Sequence, residues 1–424
     1  MEKGLKRWLT LFILCLGGGV IYQLPYLRYA YYVPLKAALN LSNYQLGVLM
    51  STYGIVAMIC YFPGGWLADR LSVRKMLTFS FVATGFGGLY FATFPSYMGA
   101  IGLHIYWGIT TTLTYWAALI KVTRDLGNSS EQGRMYGLLE GGRGLISTLA
   151  GMIILALFTK LGADAFGLKW AITSYAVLSI VVGIITWFVF EETKSTEKTA
   201  PVLDDIKKVI KMPEMWLISL IIFTTYTMYA GQSYLTPYVT EVFGASVTLG
   251  ALLGLARTYV LQMLGGPAGG FIADKVGSAS RIIKYGYVII GICLALFMVI
   301  PGNPAFLSVI IVNMAVMGLA VYAMRGIYFA TIDEGKISPA LTGAAAGLAS
   351  MIGFTPDVFL YPLIGSWLDN HPGALGYQYM FRYMFVMAIV GLVMVSIFIK
   401  IIKKKKVSKS TNALEEANNI TPNI

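Results

Sequence analysis

Twelve apolar runs, each long enough to cross a bilayer as a helix, follow one another along the chain with only short polar turns between them. They lie near residues 8–36, 43–69, 77–95, 98–124, 132–159 and 167–190, then near 213–242, 247–273, 283–301, 305–332, 339–366 and 377–402. Of 424 residues, 57% are hydrophobic and only 12% charged, with a mean hydropathy of +0.69. A soluble domain with so few charges could not cover its surface. The chain is therefore expected to be an all-α membrane protein with twelve transmembrane helices.

The distribution of charge says more than its sum. A net charge of +12 could suggest nucleic acid, but the basic residues gather at the ends of the apolar runs. The first run follows Lys3, Lys6 and Arg7, as in a signal peptide, yet continues through Tyr22 to Tyr32 with no small-residue cleavage site, so it is read as the first span. Arg70, Arg74 and Lys75 follow the second run, and Lys275, Arg281 and Lys284 follow the eighth. The loops near 96–98, 243–247 and 302–305 carry almost no Lys or Arg. This asymmetry predicts an inner-membrane protein with both termini in the cytoplasm. A polar stretch at 191–212 reads as a cytoplasmic linker between halves at 1–190 and 213–402, and residues 403–424 read as a basic and polar tail. Lys403 to Lys406 in that tail suit a lipid-facing anchor.

The chain carries little that suggests an enzyme. Cys15, Cys60 and Cys293 lie singly in apolar stretches, and His104 and His371 are far apart, so neither a disulfide framework nor a metal site is expected. There is no Ser/His/Asp set, no phosphate-cradling loop and no ATP-binding motif, and Gly17-Gly18-Gly19 falls inside a span. No cofactor is expected.

A repeat defines the architecture. Gly65-Trp66-Leu67-Ala68-Asp69-Arg70-Leu71-Ser72-Val73-Arg74-Lys75 after the second run is matched by Gly270-Phe271-Ile272-Ala273-Asp274-Lys275-Val276-Gly277, then Arg281, after the eighth. Gly65 and Gly270 stand 205 positions apart, as do Asp69 and Asp274. One pattern at one place in each half marks a duplicated unit of six helices. The pattern resembles the signature loop of the major facilitator superfamily, with Ser72 where that family usually has glycine. The resemblance implies two pseudo-symmetric six-helix halves. It also implies gating latches at Asp69 with Arg70 and Arg74, and at Asp274 with Lys275 and Arg281.

Charges inside the spans are costly and therefore informative. Arg28 lies in the first span, Glu140 and Arg143 in the fifth, Arg257 in the eighth, Arg325 in the tenth and Asp357 in the eleventh. Lys121 and Arg124 are close enough to a span end to snorkel. Four of the six are arginines, whose planar fork suits carboxylate, sulfonate or phosphate. If the halves pack as in the resembled family, Arg28 and Arg325 become ligands from opposite halves. Arg143 and Arg257 would then face each other, with Glu140 able to neutralise either one. Glu140 and Asp357 are the candidate proton carriers, although Glu140 with an arginine could equally be a structural ion pair.

Tyrosines crowd the first and seventh spans, Tyr26 and Tyr229 among them, and could line a cavity with hydroxyl donors. Pro25, Pro34, Pro237 and Pro356 are placed to break or kink their helices, and Gly137, Gly141 and Gly144 to let span five approach a neighbour. Gly18 to Pro25, Leu126 to Arg134, Glu140 to Gly144 and Thr342 to Ala345 resemble a bacterial branch of the superfamily encoded near sulfoquinovose-breakdown genes, which implies a sulfonate or related anion. The expected function is alternating-access transport of a small organic anion by a monomer in the bilayer, with a proton as coupling ion. Export of amphipathic or cationic compounds would instead make the acids dominate binding, and a transporter-like membrane sensor is the reading from another class.

Overall fold

A computed structural model of the chain describes residues 3–68, 70–126, 132–191, 203–338 and 341–419, and all regular structure among them is helical. The expected twelve-span architecture is what is observed. Span 1 consists of Lys3–Val20 and Arg28–Leu39, span 2 of Asn43–Ala68 and span 3 of Val73–Phe91. Span 4 joins Tyr97–Gly108 to Ala117–Asp125 through a π-helical segment, Ile109–Trp116. Spans 5 and 6 are Gln132–Lys160 and Ala165–Val189, followed by a short helix, Leu203–Ile210, in the polar stretch. Span 7 joins Pro213–Gly231 and Leu235–Phe243, and span 8 joins Val247–Leu255 and Leu261–Val276 across a π-turn at Ala256–Val260. Spans 9 and 10 are Ala279–Val299 and Leu307–Ile327. Span 11 consists of Thr342–Gly353 and Pro356–Asn370. Span 12, Ala374–Asn419, runs on as helix past residue 402, where its apolar stretch ends.

Eight helices among the described residues are long and apolar enough to cross a membrane. The exceptions are spans 1, 3, 4 and 7, and the physical reason differs from lipid-facing helices such as span 6, where Phe188 is 80% exposed. Spans 1, 4 and 7 carry buried Tyr and Thr that face protein, which lowers their hydropathy. In span 4, Thr110 and Thr114 pair with Thr84 and Ser80 of span 3 at 2.8 and 2.6 Å, while Thr111 Oγ1 donates to the Trp107 carbonyl at 2.7 Å. Hydroxyls that bond back to the preceding turn loosen the regular ladder, which suits a π segment.

The expected prolines act where they were placed. Pro25 lies in the turn that splits span 1, and Pro34 follows a kink at Tyr31, whose φ and ψ are −105° and 39°. Pro237 follows the 3₁₀ turn Gln232–Tyr234, and Pro356 starts the second part of span 11.

The two halves are joined at the end away from the basic loops, and span 5 also meets span 8 between them. At the end away from the basic loops, Pro356–Asn370 packs along span 2. A Cβ on Gly365 would stand 2.4 Å from the Asn43 carbonyl oxygen, so only glycine permits this approach. Asp369 accepts from Asn43 N, Asn43 Nδ2 and Tyr44 N at 2.9, 2.8 and 2.8 Å. Lys36 lies 3.8 Å from Glu241, which also accepts from Tyr377 Oη at 2.7 Å. Toward the basic loops, Thr342–Gly353 packs on span 7, and a Cβ on Gly64 of span 2 would stand 2.9 Å from the Leu113 carbonyl oxygen of span 4. Between the halves, Tyr26, Tyr229, Arg325 and Asp357 keep partial exposure, which marks a cleft that reaches them.

Candidate functional site

The deep wall of the cleft is built from broken spans. The Arg325 guanidinium of span 10 lies 3.6 Å from the ring centroid of Tyr229 and 5.7 Å from that of Tyr226, both on span 7. It has no ion-pair partner among the described residues, and its Nε has no hydrogen-bond partner there. The break at 354–355 brings Asp357 into the same region, where Tyr226 Oη donates to Asp357 Oδ2 at 2.7 Å. Asp357 Oδ1 has no partner among the described residues. Tyr226 thus touches both the carboxylate and the face beside the cation. Arg325, Asp357 and Tyr229 all retain partial exposure.

Across the cleft, Tyr26 of span 1 is also partly exposed and packs against Tyr29 and Tyr53, with ring centroids 5.1 and 5.3 Å apart. Tyr29 Oη and Tyr361 Oη share a 2.6 Å hydrogen bond between the halves, and Tyr259 Oη donates to Gln23 Oε1 at 2.7 Å. The result is a box of ring faces and phenolic hydroxyls around one partly exposed arginine and one aspartate whose Oδ1 is buried. Such a box can hold a small polar solute by its charge and shield its apolar faces.

The other three arginines lie elsewhere. Arg28 is 2% exposed and enclosed by the rings of Tyr32, Tyr234 and Tyr361. Arg257, also 2% exposed, reaches across the halves and its Nη2 donates to the Tyr29 carbonyl at 3.4 Å, an oxygen that also accepts from Thr236 Oγ1 at 3.0 Å. Arg143 hydrogen-bonds Glu140 on its own helix and runs beside Gly18, with the rings of Tyr22 and Trp116 5.8 and 5.7 Å away.

The expected opposition of Arg143 and Arg257 is not found. Span 5 meets span 8 through Gly144 and Gly151, against Met263 and Leu255, which turns Arg143 toward spans 1 and 4. Close approach in span 5 belongs to Gly142, whose Cβ would stand 2.4 Å from Cys15 Sγ, whereas a Cβ at Gly141 would meet nothing within 4 Å.

Of the expected latch residues, Asp69 lies outside the described residues. Arg70 is exposed and stacks on Trp66 at 4.1 Å, and Arg74 stacks on Trp187 at 4.5 Å. Asp274, Lys275 and Arg281 are exposed, and no ion pair joins them among the described residues. These groups stand at the turns between spans 2 and 3 and between spans 8 and 9.

Sequence reasoning did not find the sealed end. Asn43 and Asp369 are 326 positions apart, and each sits beside a turn where polar residues are ordinary. Tyr361 was missed because a single Tyr in an apolar run carries no positional signal.

Residues 7–356 match the family model described as Major Facilitator Superfamily. The inner membrane protein YqcE of Escherichia coli (strain K12) is 37% identical over 408 residues, covering 93% of this chain and 94% of that protein. YihN, an inner membrane protein of the same strain, is 34% identical over 411 residues, covering 95% and 97%. More distant are a probable nitrate/nitrite antiporter, NarK1 of Thermus thermophilus, and a hexuronate transporter of Bacillus subtilis, 24% and 22% identical over 78% and 77% of this chain and 78% and 88% of their own lengths. Among solved structures, a bacterial homologue of the human lysosomal transporter Spinster superposes with a TM-score of 0.72 at 16% identity, covering 94% of this chain and 97% of that one.

Proposed function

Because this chain belongs to the Major Facilitator Superfamily and is a secondary transporter of the inner membrane, we propose that its cargo is a small organic anion, a carboxylate, sulfonate or phosphate ester, held by Arg325 and carried by alternating access. The observation that carries this reading is the accessible Arg325 guanidinium, stacked on Tyr229 and without a carboxylate partner among the described residues. A cation kept inside a membrane protein without a counter-charge is costly unless an incoming anion supplies one. The fork of Arg325 offers paired donors to such a head group, and the Tyr229 face keeps it planar and in place. The nitrate/nitrite and hexuronate relatives, whose names describe anions, support the same class of cargo.

In this reading the coupling ion is a proton carried by Asp357, whose Oδ1 is unpartnered among the described residues and whose Oδ2 shares Tyr226 with the cation site. Both termini face the cytoplasm, the end sealed by Asp369 and Asn43 lies away from it, and the protein works as a monomer. The basic loops of positive-inside sequence pattern support that orientation.

One observation favours a second reading. Asp357 and the surrounding tyrosine faces would also suit an organic cation, as for an exporter. A solute screen by thermal shift on purified protein, followed by proteoliposome uptake with and without a pH gradient, separates the two. Stabilisation by organic anions that is lost in Arg325→Ala supports the anion reading. Stabilisation only by cations, lost in Asp357→Asn and kept in Arg325→Ala, overturns it.

A further inference from the structure

Asp357 stands where the two halves touch. It lies in the first turn of Pro356–Asn370, the part of span 11 that packs along span 2 of the other half. That seam is antiparallel and closes on glycine. A Cβ on Gly365 would meet the Asn43 carbonyl oxygen at 2.4 Å, one on Gly47 the Tyr361 carbonyl oxygen at 2.5 Å, and one on Gly54 the Asp357 Cβ at 2.8 Å. Asn43 and Gly54 are about 16 Å apart at the rise of a helix. The bonds from Asn43 to Asp369 thus hold one end of the seam, and Asp357 lies at the other.

The contact at Gly54 differs from the other two in what it bears on. The three atoms nearest to an added Cβ there all belong to Asp357: its Cβ, carbonyl oxygen and carbonyl carbon, at 2.8, 3.4 and 3.5 Å. The bare backbone of the first half therefore sets how far the carboxyl of the second half stands from span 2. On its other side, Tyr226 of span 7 donates to Oδ2 at 2.7 Å, and Tyr361, one turn further along span 11, approaches the same carboxyl. Arg325 of span 10 is the cation that faces it. Tyr26 and Tyr29 of span 1 and Tyr53 and Tyr61 of span 2 are the other titratable groups within its electrostatic reach. An O–H···O bond spans only about 2.5–3.0 Å, so a displacement of a few tenths of an ångström at Cβ is felt at Oδ2.

We propose that Gly54 is a positioning residue for Asp357: its missing side chain seats the carboxyl within reach of Tyr226 and so fixes the pH at which that carboxyl takes up its proton. This rests on the reading of Asp357 as the proton carrier. The first half thereby tunes a proton site carried by the second. When the seam parts, Gly54 withdraws and the carboxyl loses that support. Proton binding at Asp357 and closure of the seam are then linked, each biasing the other.

The test titrates purified full-length protein in lipid vesicles with pH and follows the infrared C=O band of the protonated carboxyl. Asp357→Asn identifies the band by losing it. Gly54→Ala should move its midpoint by about half a pH unit or more, the change that straining one hydrogen bond to a carboxylate brings. Gly365→Ala puts a methyl into the same seam with a closer clash, about 12 Å along the helix from Asp357, and should leave the midpoint in place. A merely structural role for Gly54 would make these two variants alike. Tyr226→Phe removes the hydrogen bond itself and should move the midpoint in the same direction as Gly54→Ala, a reading that stands even where Gly54→Ala does not fold. An unmoved midpoint in folded Gly54→Ala or in Tyr226→Phe overturns the proposal, as does an equal shift in Gly365→Ala. A band unchanged in Asp357→Asn overturns the proton reading and the proposal with it, whereas a band lost there and unmoved in Gly54→Ala overturns the positioning role alone.

Discussion

Asp369, next to the last residue of span 11, grips Asn43, the first residue of span 2, through both the backbone N–H and the side-chain amide, at 2.9 and 2.8 Å. The neighbouring Tyr44 N–H adds a third bond at 2.8 Å. A carboxylate of one half thus occupies the N-terminus of a helix of the other, where unsatisfied N–H groups and the helix dipole favour negative charge. The contact has nothing to do with cargo. It fixes which end of the cleft is shut.

Asp369→Asn keeps the shape and removes the charge. A charge-assisted bond is worth about 1.5–3 kcal/mol when buried, but this carboxylate is partly exposed, so about 1 kcal/mol is the better figure. That corresponds to a shift of roughly fivefold in population toward the state with this end open. Spin–spin distances between labels on the outer turns of the two halves measure it. An unchanged distance distribution would show that Asp369 does not govern closure.

Gly254 offers a sharper perturbation of the same closure. A Cβ there would stand 2.5 Å from the Tyr29 carbonyl oxygen and 2.9 Å from Ala30 Cα. Gly254→Ala must push span 1 from span 8, an overpacking cost of about 1–3 kcal/mol that outweighs the long Arg257–Tyr29 bond holding them. Turnover should fall severalfold while affinity for cargo presented from the open side holds. A loss confined to affinity would contradict this.

Tyr229 is expected to act through its ring rather than its hydroxyl, because Arg325 lies 3.6 Å from the ring centroid. Tyr229→Phe should bind cargo nearly as wild type does. Tyr229→Ala should lose about 0.5–2 kcal/mol, roughly a 2- to 30-fold weakening by calorimetry. Equal losses in both variants would move the role to the hydroxyl.

The two intramembrane acids should separate in their effect on coupling. Glu140 is 54% exposed and paired with Arg143 one turn away, an arrangement worth less than about 1 kcal/mol. Asp357 is half-buried with one oxygen unpartnered among the described residues. Uptake by Glu140→Gln should keep its response to a pH gradient, and uptake by Asp357→Asn should lose it. The reverse pattern in proteoliposome flux would assign the proton to Glu140.

How much of this was legible in the sequence follows from the range of each interaction. The spans were readable because a bilayer imposes length and hydropathy on consecutive residues, and the fold because the pattern around Gly65 repeats at Gly270. The intramembrane charges were legible as rare letters in an apolar text. Their partners were not. Which face Arg143 presents depends on how Gly144 and Gly151 seat span 5 against Met263 and Leu255, and that is decided by packing between distant segments. Arg28 and Arg325 look alike in sequence. Only the enclosure of one by Tyr32, Tyr234 and Tyr361, and the accessibility of the other, separates a sealed cation from a reachable one.

Initial-rate uptake of an organic anion by proteoliposomes carrying wild type, Arg325→Lys or Arg325→Ala tests the central claim most directly. The anion is first chosen from carboxylates, sulfonates and sugar phosphates by thermal shift. The wild type should take it up, Arg325→Lys should retain a fraction of that rate, and Arg325→Ala should fall at least about 100-fold, as expected when a charge-assisted bidentate contact worth roughly 3 kcal/mol is removed. Wild-type affinity and rate in folded Arg325→Ala would contradict the account.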